Sequence, residues 1–157
     1  MKSVHRWLDE YSESHQHPVN KQIHFVCVPL IMFSLLGILW SVEPFNRTGG
    51  SGNILNLAVV FLLPILVYYF LLNGKLAIGM TCVSAIILGL LVLLDGMNLL
   101  FSTWKIYLAV FIFAWICQFA GHVVEGKRPS FIQDIQFLLI GPLWILAFVY
   151  RKLNLKY

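Results

Sequence analysis

Long apolar runs alternate with short polar segments along the chain. Four of the runs are long enough to cross a bilayer, because a transmembrane helix needs about 20 predominantly apolar residues. We place these four spans at about residues 23–42, 54–72, 76–94 and 105–124. The pattern predicts an all-α integral membrane protein: one membrane domain over residues 1–157, built as a compact bundle of four to five transmembrane or re-entrant helices.

Residues 1–17 form a more polar surface segment ahead of the first span. Acidic residues separate four apolar residues that recur at helical spacing, namely Val4, Trp7, Leu8 and Tyr11. This spacing predicts a short amphipathic helix at the membrane surface. The segment carries acids and aromatics where a signal peptide has its apolar stretch, so we expect it to stay in the mature protein. Pro18 suits the first turn of the next helix, which we expect to begin there.

The connections between spans are short and polar. Residues 43–53 collect Pro, Gly, Ser and Asn without apolar periodicity and predict a loop. The last apolar segment, residues 131–150, has an unbroken apolar part that is shorter than a full crossing and contains Gly141 and Pro142. Two alternatives therefore remain for this segment, a fifth span and a re-entrant or broken helix.

The distribution of Lys and Arg favours four spans followed by a returning segment. In that topology nine basic residues share one side of the membrane, and Arg47 and Lys105 lie opposite. The crowded side is then cytoplasmic. We expect a bacterial inner membrane or the endoplasmic reticulum, depending on the host; the sequence does not reveal which. Neither the oligomeric state nor an acyl chain length follows from the sequence.

Composition agrees with a membrane protein. Hydrophobic residues make up 59% of the chain and charged residues 11%, against about a quarter charged in soluble domains. The net charge of +4 is divided among the loops, so we expect the bilayer, and no nucleic acid, as the partner. Three cysteines, Cys27, Cys82 and Cys117, lie in apolar runs without metal or redox spacing and are interpreted as small core residues.

Two polar clusters interrupt this apolar sequence. The first precedes and enters the first span and the second ends the fourth span; their members are His15, His17, Asn20 and His24, then Gln118, His122 and Glu125. Four crossings separate the clusters, so both emerge on the same side of the membrane. Residues three or four apart share one helical face. Because imidazole is a good ligand for Fe, Zn, Cu and Ni, the clusters predict a shared metal site.

Each of these residues also has a simpler interpretation. His5 and His17 fit solvated surface positions, and His17 could support the turn before Pro18. A buried His15, His24 or His122 could bond a neighbouring carbonyl or a lipid head group. Gln118 could only bridge two helices, and Glu125 could only pair with Lys127 or Arg128.

Two strings in the sequence carry a family resemblance. Residues 11–24 read YSESHQHPVNKQIH and are followed by Pro29, and residues 118–129 read QFAGHVVEGKRP. In this order, with apolar segments between them, they closely resemble the membrane 2-hydroxy fatty acid dioxygenases, formerly a domain of unknown function, whose fungal member serves phytosphingosine breakdown. The resemblance spans nearly the whole chain.

The resemblance implies an Fe(II)-dependent α-oxidation in which a 2-hydroxy fatty acid or related lipid reacts with O₂ and is shortened by one carbon. It also implies His15, His24 and His122 as the iron ligands. Asn20, Gln118, Glu125 and His17 are candidates for supporting residues or an additional ligand. Zinc could replace iron during purification, because the Irving–Williams order favours it.

Two other classes of function compete with this hypothesis. A histidine-based metal or proton transporter needs polar residues at mid-membrane depth, and the second and third spans offer little beyond Thr81 and Ser84. A non-catalytic membrane scaffold leaves the two polar clusters unexplained. The dioxygenase hypothesis accounts for both clusters.

Overall fold

The computed structural model describes residues 2–42, 56–97, 103–128 and 136–157. These residues form six α-helices: α1 (Val4–Glu13), α2 (Pro18–Ser41), α3 (Leu57–Leu72), α4 (Gly74–Asp95), α5 (Thr103–Glu125) and α6 (Phe137–Lys152). The predicted all-α class is confirmed. The predicted loop 43–53 and the first part of the segment 131–150 lie outside the described residues.

Three of the helices, α2, α4 and α5, are long and apolar enough to cross a membrane. The apolar helix α3 is shorter, with 16 residues in its described part. Large apolar side chains remain exposed on the outside of these helices, as they do where a helix faces lipid; examples are Val26, Leu71, Leu93 and Val123. The chain is therefore an integral membrane protein.

Helix α1 is amphipathic, as its sequence predicts. The hydroxyl of Ser3 caps the helix by accepting a hydrogen bond from the Arg6 backbone amide at 3.3 Å. Its apolar face is buried against α6, in a cluster that joins Trp7 and Tyr11 to Phe137 and Trp144. The apolar stripe covers another helix of the same chain. The predicted position of α1 at the membrane surface stays a prediction.

Helices α2 and α5 pack antiparallel against each other. Near one end, Gly37 of α2 lies against the ring of Tyr107, so that a Cβ atom there would overlap the ring carbons. Near the other end, Gly121 of α5 lies against the side chain of Asn20. Glycine at both contacts lets the two backbones approach closely. This packing sets the start of α2 beside the end of α5.

The described part of the last apolar segment is one continuous helix, α6, which runs through Gly141 and Pro142. A Cβ atom at Gly141 would lie 2.9 Å from the hydroxyl of Tyr11, which explains why glycine stands where α1 crosses α6. The 16 residues of α6 extend about 24 Å, less than the roughly 30 Å of a hydrocarbon core. The choice between a fifth span and a re-entrant helix stays a prediction.

Candidate metal centre

His15 lies just after α1, where the chain turns toward α2. Its backbone amide donates to the carbonyl of Ser12 at 3.0 Å. Its Nδ1–H donates to the carbonyl of Tyr11 at 2.7 Å, and its ring stacks on the Tyr11 ring at a centroid distance of 4.2 Å. The side chain is only 1% exposed. The turn after α1 therefore fixes both the position of His15 and its tautomer.

His24 lies on the buried face of α2, one turn after Asn20. Its Nδ1–H donates to the carbonyl of Asn20 at 3.0 Å. In both histidines the proton is thus on Nδ1, because a carbonyl oxygen can only accept. The opposite nitrogen, Nε2, carries a lone pair in each ring.

These two Nε2 atoms face each other at 3.0 Å. Two neutral imidazoles in this tautomer have no proton to place between the nitrogens, so their lone pairs repel. A cation bound by both nitrogens would remove the repulsion. Two nitrogens held at about 2.1 Å from one ion, at a right angle to each other, are separated by about 3 Å. The pair therefore fits two ligands of a single metal ion.

His122 completes the cluster from the last turn of α5. Its ring centroid lies 5.0 Å from the rings of both His15 and His24. Its Nδ1 atom is buried and has no hydrogen-bond partner among the described residues. One ring nitrogen from each of the three histidines lies within 4.8 Å of the other two. Three buried imidazoles thus converge, and their nitrogens are close enough together to bind one ion of a metal that prefers imidazole, such as Fe, Zn, Cu or Ni.

The protonation state of His15 suits this role. Burial lowers the pKa of His15 to about 4; the hydrogen bond to the Tyr11 carbonyl opposes this effect and the proximity of His122 adds to it. At neutral pH the ring is therefore uncharged, which is the form that binds a metal ion.

Glu125 ends α5, and its carboxylate contacts the chain around His15 instead of the histidine rings. One oxygen accepts from the backbone amide of Gln16 at 2.8 Å. The other accepts from the backbone amide of His17 at 2.8 Å and from the side-chain amide of Asn20 at 3.1 Å. We call this set of three contacts the Glu125 clamp. It ties the segment that carries His15 to the helix that carries His122.

Neighbouring residues complete the connection. The ammonium group of Lys127 donates to the carbonyl of Glu13 at 2.6 Å. The ring of His17 accepts from the Val19 amide at 3.2 Å and caps α2. His17 does not belong to the group of clustered histidines.

An apolar cavity of about 300 Å³ extends from the three histidines into the bundle. Gln118, one turn before His122 on α5, lies in its wall close to the histidines. Beyond them the wall is apolar except for Tyr69 and Ser84 and is built from α2, α3, α4, α5 and α6; its apolar α2 members are Val28, Ile31, Met32, Leu35 and Leu36. The arrangement joins a group of three histidines that could hold a metal ion to an apolar cavity.

Comparison with known proteins agrees with this architecture. The sequence model of one family, the 2-hydroxy-palmitic acid dioxygenase Mpo1-like family, matches residues 1–153. The chain belongs to this family. One relative is the 2-hydroxy-palmitic acid dioxygenase MPO1 of Saccharomyces cerevisiae. The two proteins are 31% identical over 141 residues, which cover 88% of this chain and 75% of the yeast protein. No solved structure matches the chain.

The fold of this Mpo1-like chain brings most of the predicted site residues into one region. The three histidines converge, and Asn20 and Glu125 lie beside them. His5 is elsewhere, where its ring stacks on Tyr157 at 5.6 Å. The predicted resemblance to the 2-hydroxy fatty acid dioxygenases is confirmed by the family match.

Sequence reasoning missed three contributors to the centre. Tyr11 supplies both the stacking ring and the carbonyl acceptor for His15, and its helical spacing of four from His15 was the available signal. Gly121 leaves room for Asn20. Trp144 of α6 lies 5.6 Å from the His15 ring, and no sequence signal links these two residues.

Proposed function

We propose that the protein is an Fe(II)-dependent dioxygenase that converts a 2-hydroxy fatty acid and O₂ into the fatty acid with one carbon fewer. The carboxyl carbon leaves as carbon dioxide, and the remaining oxygen and hydrogen leave as water. One observation carries the proposal: three buried imidazoles converge at the head of an apolar cavity in a chain of a dioxygenase family.

His15, His24 and His122 would hold the iron, which supplies the activation of O₂. These three ligands are neutral, and the carboxylate of Glu125 is engaged by backbone amides. The loaded site would thus keep a net positive charge at the end of an apolar slot. That charge favours the carboxylate of a fatty acid over a neutral lipid.

The cavity residues would bind the acyl chain and exclude water. Along α2 the wall runs from His24 to Leu36, a distance of about 18 Å at the rise of an α-helix. This is close to the length of an extended palmitoyl chain. Gln118 would donate a hydrogen bond to the substrate's carboxylate or 2-hydroxyl, because its buried amide lies in the cavity wall one turn from His122.

Asn20, Glu125 and His17 would position the ligands without touching the metal. The Glu125 clamp keeps the His15 segment on α5, and His17 starts the helix that carries His24. We place the centre on the cytoplasmic side, since the Lys and Arg residues crowd that side in the predicted topology. The host membrane would be a bacterial inner membrane or the endoplasmic reticulum.

The decisive experiment is anaerobic reconstitution of the purified protein with Fe(II), followed by addition of O₂ and 2-hydroxypalmitic acid. We expect the fatty acid shortened by one carbon as the product, detected by mass spectrometry. The same protein loaded with Zn(II) should bind the substrate and leave it unchanged. A folded, iron-loaded protein that leaves both 2-hydroxypalmitic acid and its longer homologues intact would refute the proposal.

A further inference from the structure

The hydroxyl of Ser84 behaves differently from other hydroxyls in the helices. Serine and threonine in a helix commonly donate to the carbonyl one turn earlier. Four residues of this chain do so at 2.6 to 2.8 Å, namely Ser12, Ser34, Ser41 and Thr81. The Oγ atom of Ser84 has no hydrogen-bond partner among the described residues, although the side chain is only 3% exposed.

Ser84 lies in the wall of the apolar cavity. Helix α4 begins in the core cluster that contains Tyr11 and Trp144, and Met80 belongs to this cluster. Further along, α4 enters a second core cluster, which contains Ile87 of α4 and Leu36 of α2. Ser84 lies between Met80 and Ile87 on α4. Its hydroxyl is therefore located about midway along the cavity.

Among the described residues, none of the polar side chains in the wall forms a hydrogen bond with the Ser84 hydroxyl. Besides Ser84 and Tyr69, the lining residues with a polar side-chain atom are Tyr11, His15, His24, Trp115, Gln118 and His122. The hydroxyl of Tyr69 donates to the carbonyl of Leu139 at 2.7 Å. An unpaired polar group in an apolar cavity is unfavourable, so a ligand that supplies a partner at this depth gains affinity.

We infer that Ser84 forms a polar subsite that recognises an oxygen substituent near the middle of a fatty acyl chain. The substrate class would be 2-hydroxy fatty acids that carry a second hydroxyl at mid-chain. This inference rests on the proposed function, since it assumes that the cavity holds the chain with its carboxylate at the histidines. Both hydroxyls would gain a hydrogen-bond partner, because a mid-chain hydroxyl of the substrate in a purely apolar slot would also be unpaired.

Binding to the zinc-loaded protein tests the subsite without turnover. Positional isomers of 2-hydroxypalmitic acid with one further hydroxyl across the middle of the chain would compete with a fluorescent fatty acid in nanodiscs. We expect one position to bind more tightly than its neighbours. Ser84→Ala should reduce that preference by about 3 to 10-fold, the range expected for one neutral hydrogen bond.

Ser34→Ala is the matched control, because Ser34 is equally buried, donates to the carbonyl of Leu30, and lies outside the cavity wall. It should keep the positional preference. Equal binding of all isomers to the wild type, or an unchanged preference in Ser84→Ala, would overturn the subsite. Turnover of 2-hydroxypalmitic acid by the iron-loaded wild type is measured separately, and only its loss speaks against the proposed function.

Discussion

The Glu125 clamp makes a quantitative prediction for Glu125→Ala. The substitution removes the acceptor of three donors, the backbone amides of Gln16 and His17 and the side-chain amide of Asn20. A hydrogen bond to a charged group contributes about 1.5 to 3 kcal/mol. Water can solvate the exposed amides of Gln16 and His17 in the variant, so we discount the sum to about 2 kcal/mol.

Part of this free energy holds His15 in the orientation that binds metal. If all of it were lost from binding, the affinity for a divalent ion would fall about 30-fold, since 1.4 kcal/mol corresponds to a factor of ten. This lies within the 10 to 100-fold range usual for residues that orient metal ligands. Titration of the detergent-solubilised protein with Co(II), followed by visible absorption, measures the change.

Two comparisons make this prediction discriminating. Glu10→Gln removes one negative charge from α1, where Glu10 pairs with Lys2 and Arg6, and should leave the Co(II) affinity unchanged. Glu125→Gln should restore little of the Co(II) affinity, because the amide nitrogen of the new side chain is a donor and would face the N–H donors of the clamp. Wild-type affinity in Glu125→Ala would refute the clamp. Loss of binding as complete as in His122→Ala would instead identify Glu125 as a metal ligand.

Three further predictions follow from the geometry. Alanine at any one of the three clustered histidines should abolish stoichiometric metal binding measured by elemental analysis, whereas His5→Ala should retain it; retained iron in any of the three would contradict the assignment. Gly121→Ala should lower thermal stability by an amount equivalent to about 1 to 3 kcal/mol through overpacking, while Gly89→Ala, which meets nothing within 4 Å, should not. Single cysteines introduced at positions 16 and 127 of a cysteine-free variant should react from the same side of sealed vesicles; labelling from opposite sides would exclude the shared site.

The sequence predicted the histidine cluster because its determinants are periodic. His24 lies four residues after Asn20, His122 lies four after Gln118, and the four consecutive helices α2 to α5 bring the two faces to the same end. Such spacing indicates which face of a helix a side chain occupies. Together with the two family strings, it was sufficient to select three of the five histidines.

The partners of these faces were not predictable from the sequence. The apolar stripe of α1 is visible in the sequence, but the stripe fits a bilayer surface and a neighbouring helix equally well; in the fold it lies against α6. The role of Glu125 was open for a related reason. Its carboxylate binds backbone amides, and a backbone amide leaves no residue-type signal in a sequence.

The placement of the three clustered histidines also has a consequence for how the chain reaches its final fold. His15 follows α1 and His24 belongs to α2, whereas His122 arrives with α5, after α3 and α4 have been added to the chain. The three histidines therefore come together only once the late helix has docked on the early one. Since an ion that binds only the assembled state stabilises that state by mass action, metal uptake would act as the final step of assembly. Helices in lipid lack a hydrophobic force that drives them together, so a bound ion would serve as a cross-link between the first and last thirds of the bundle.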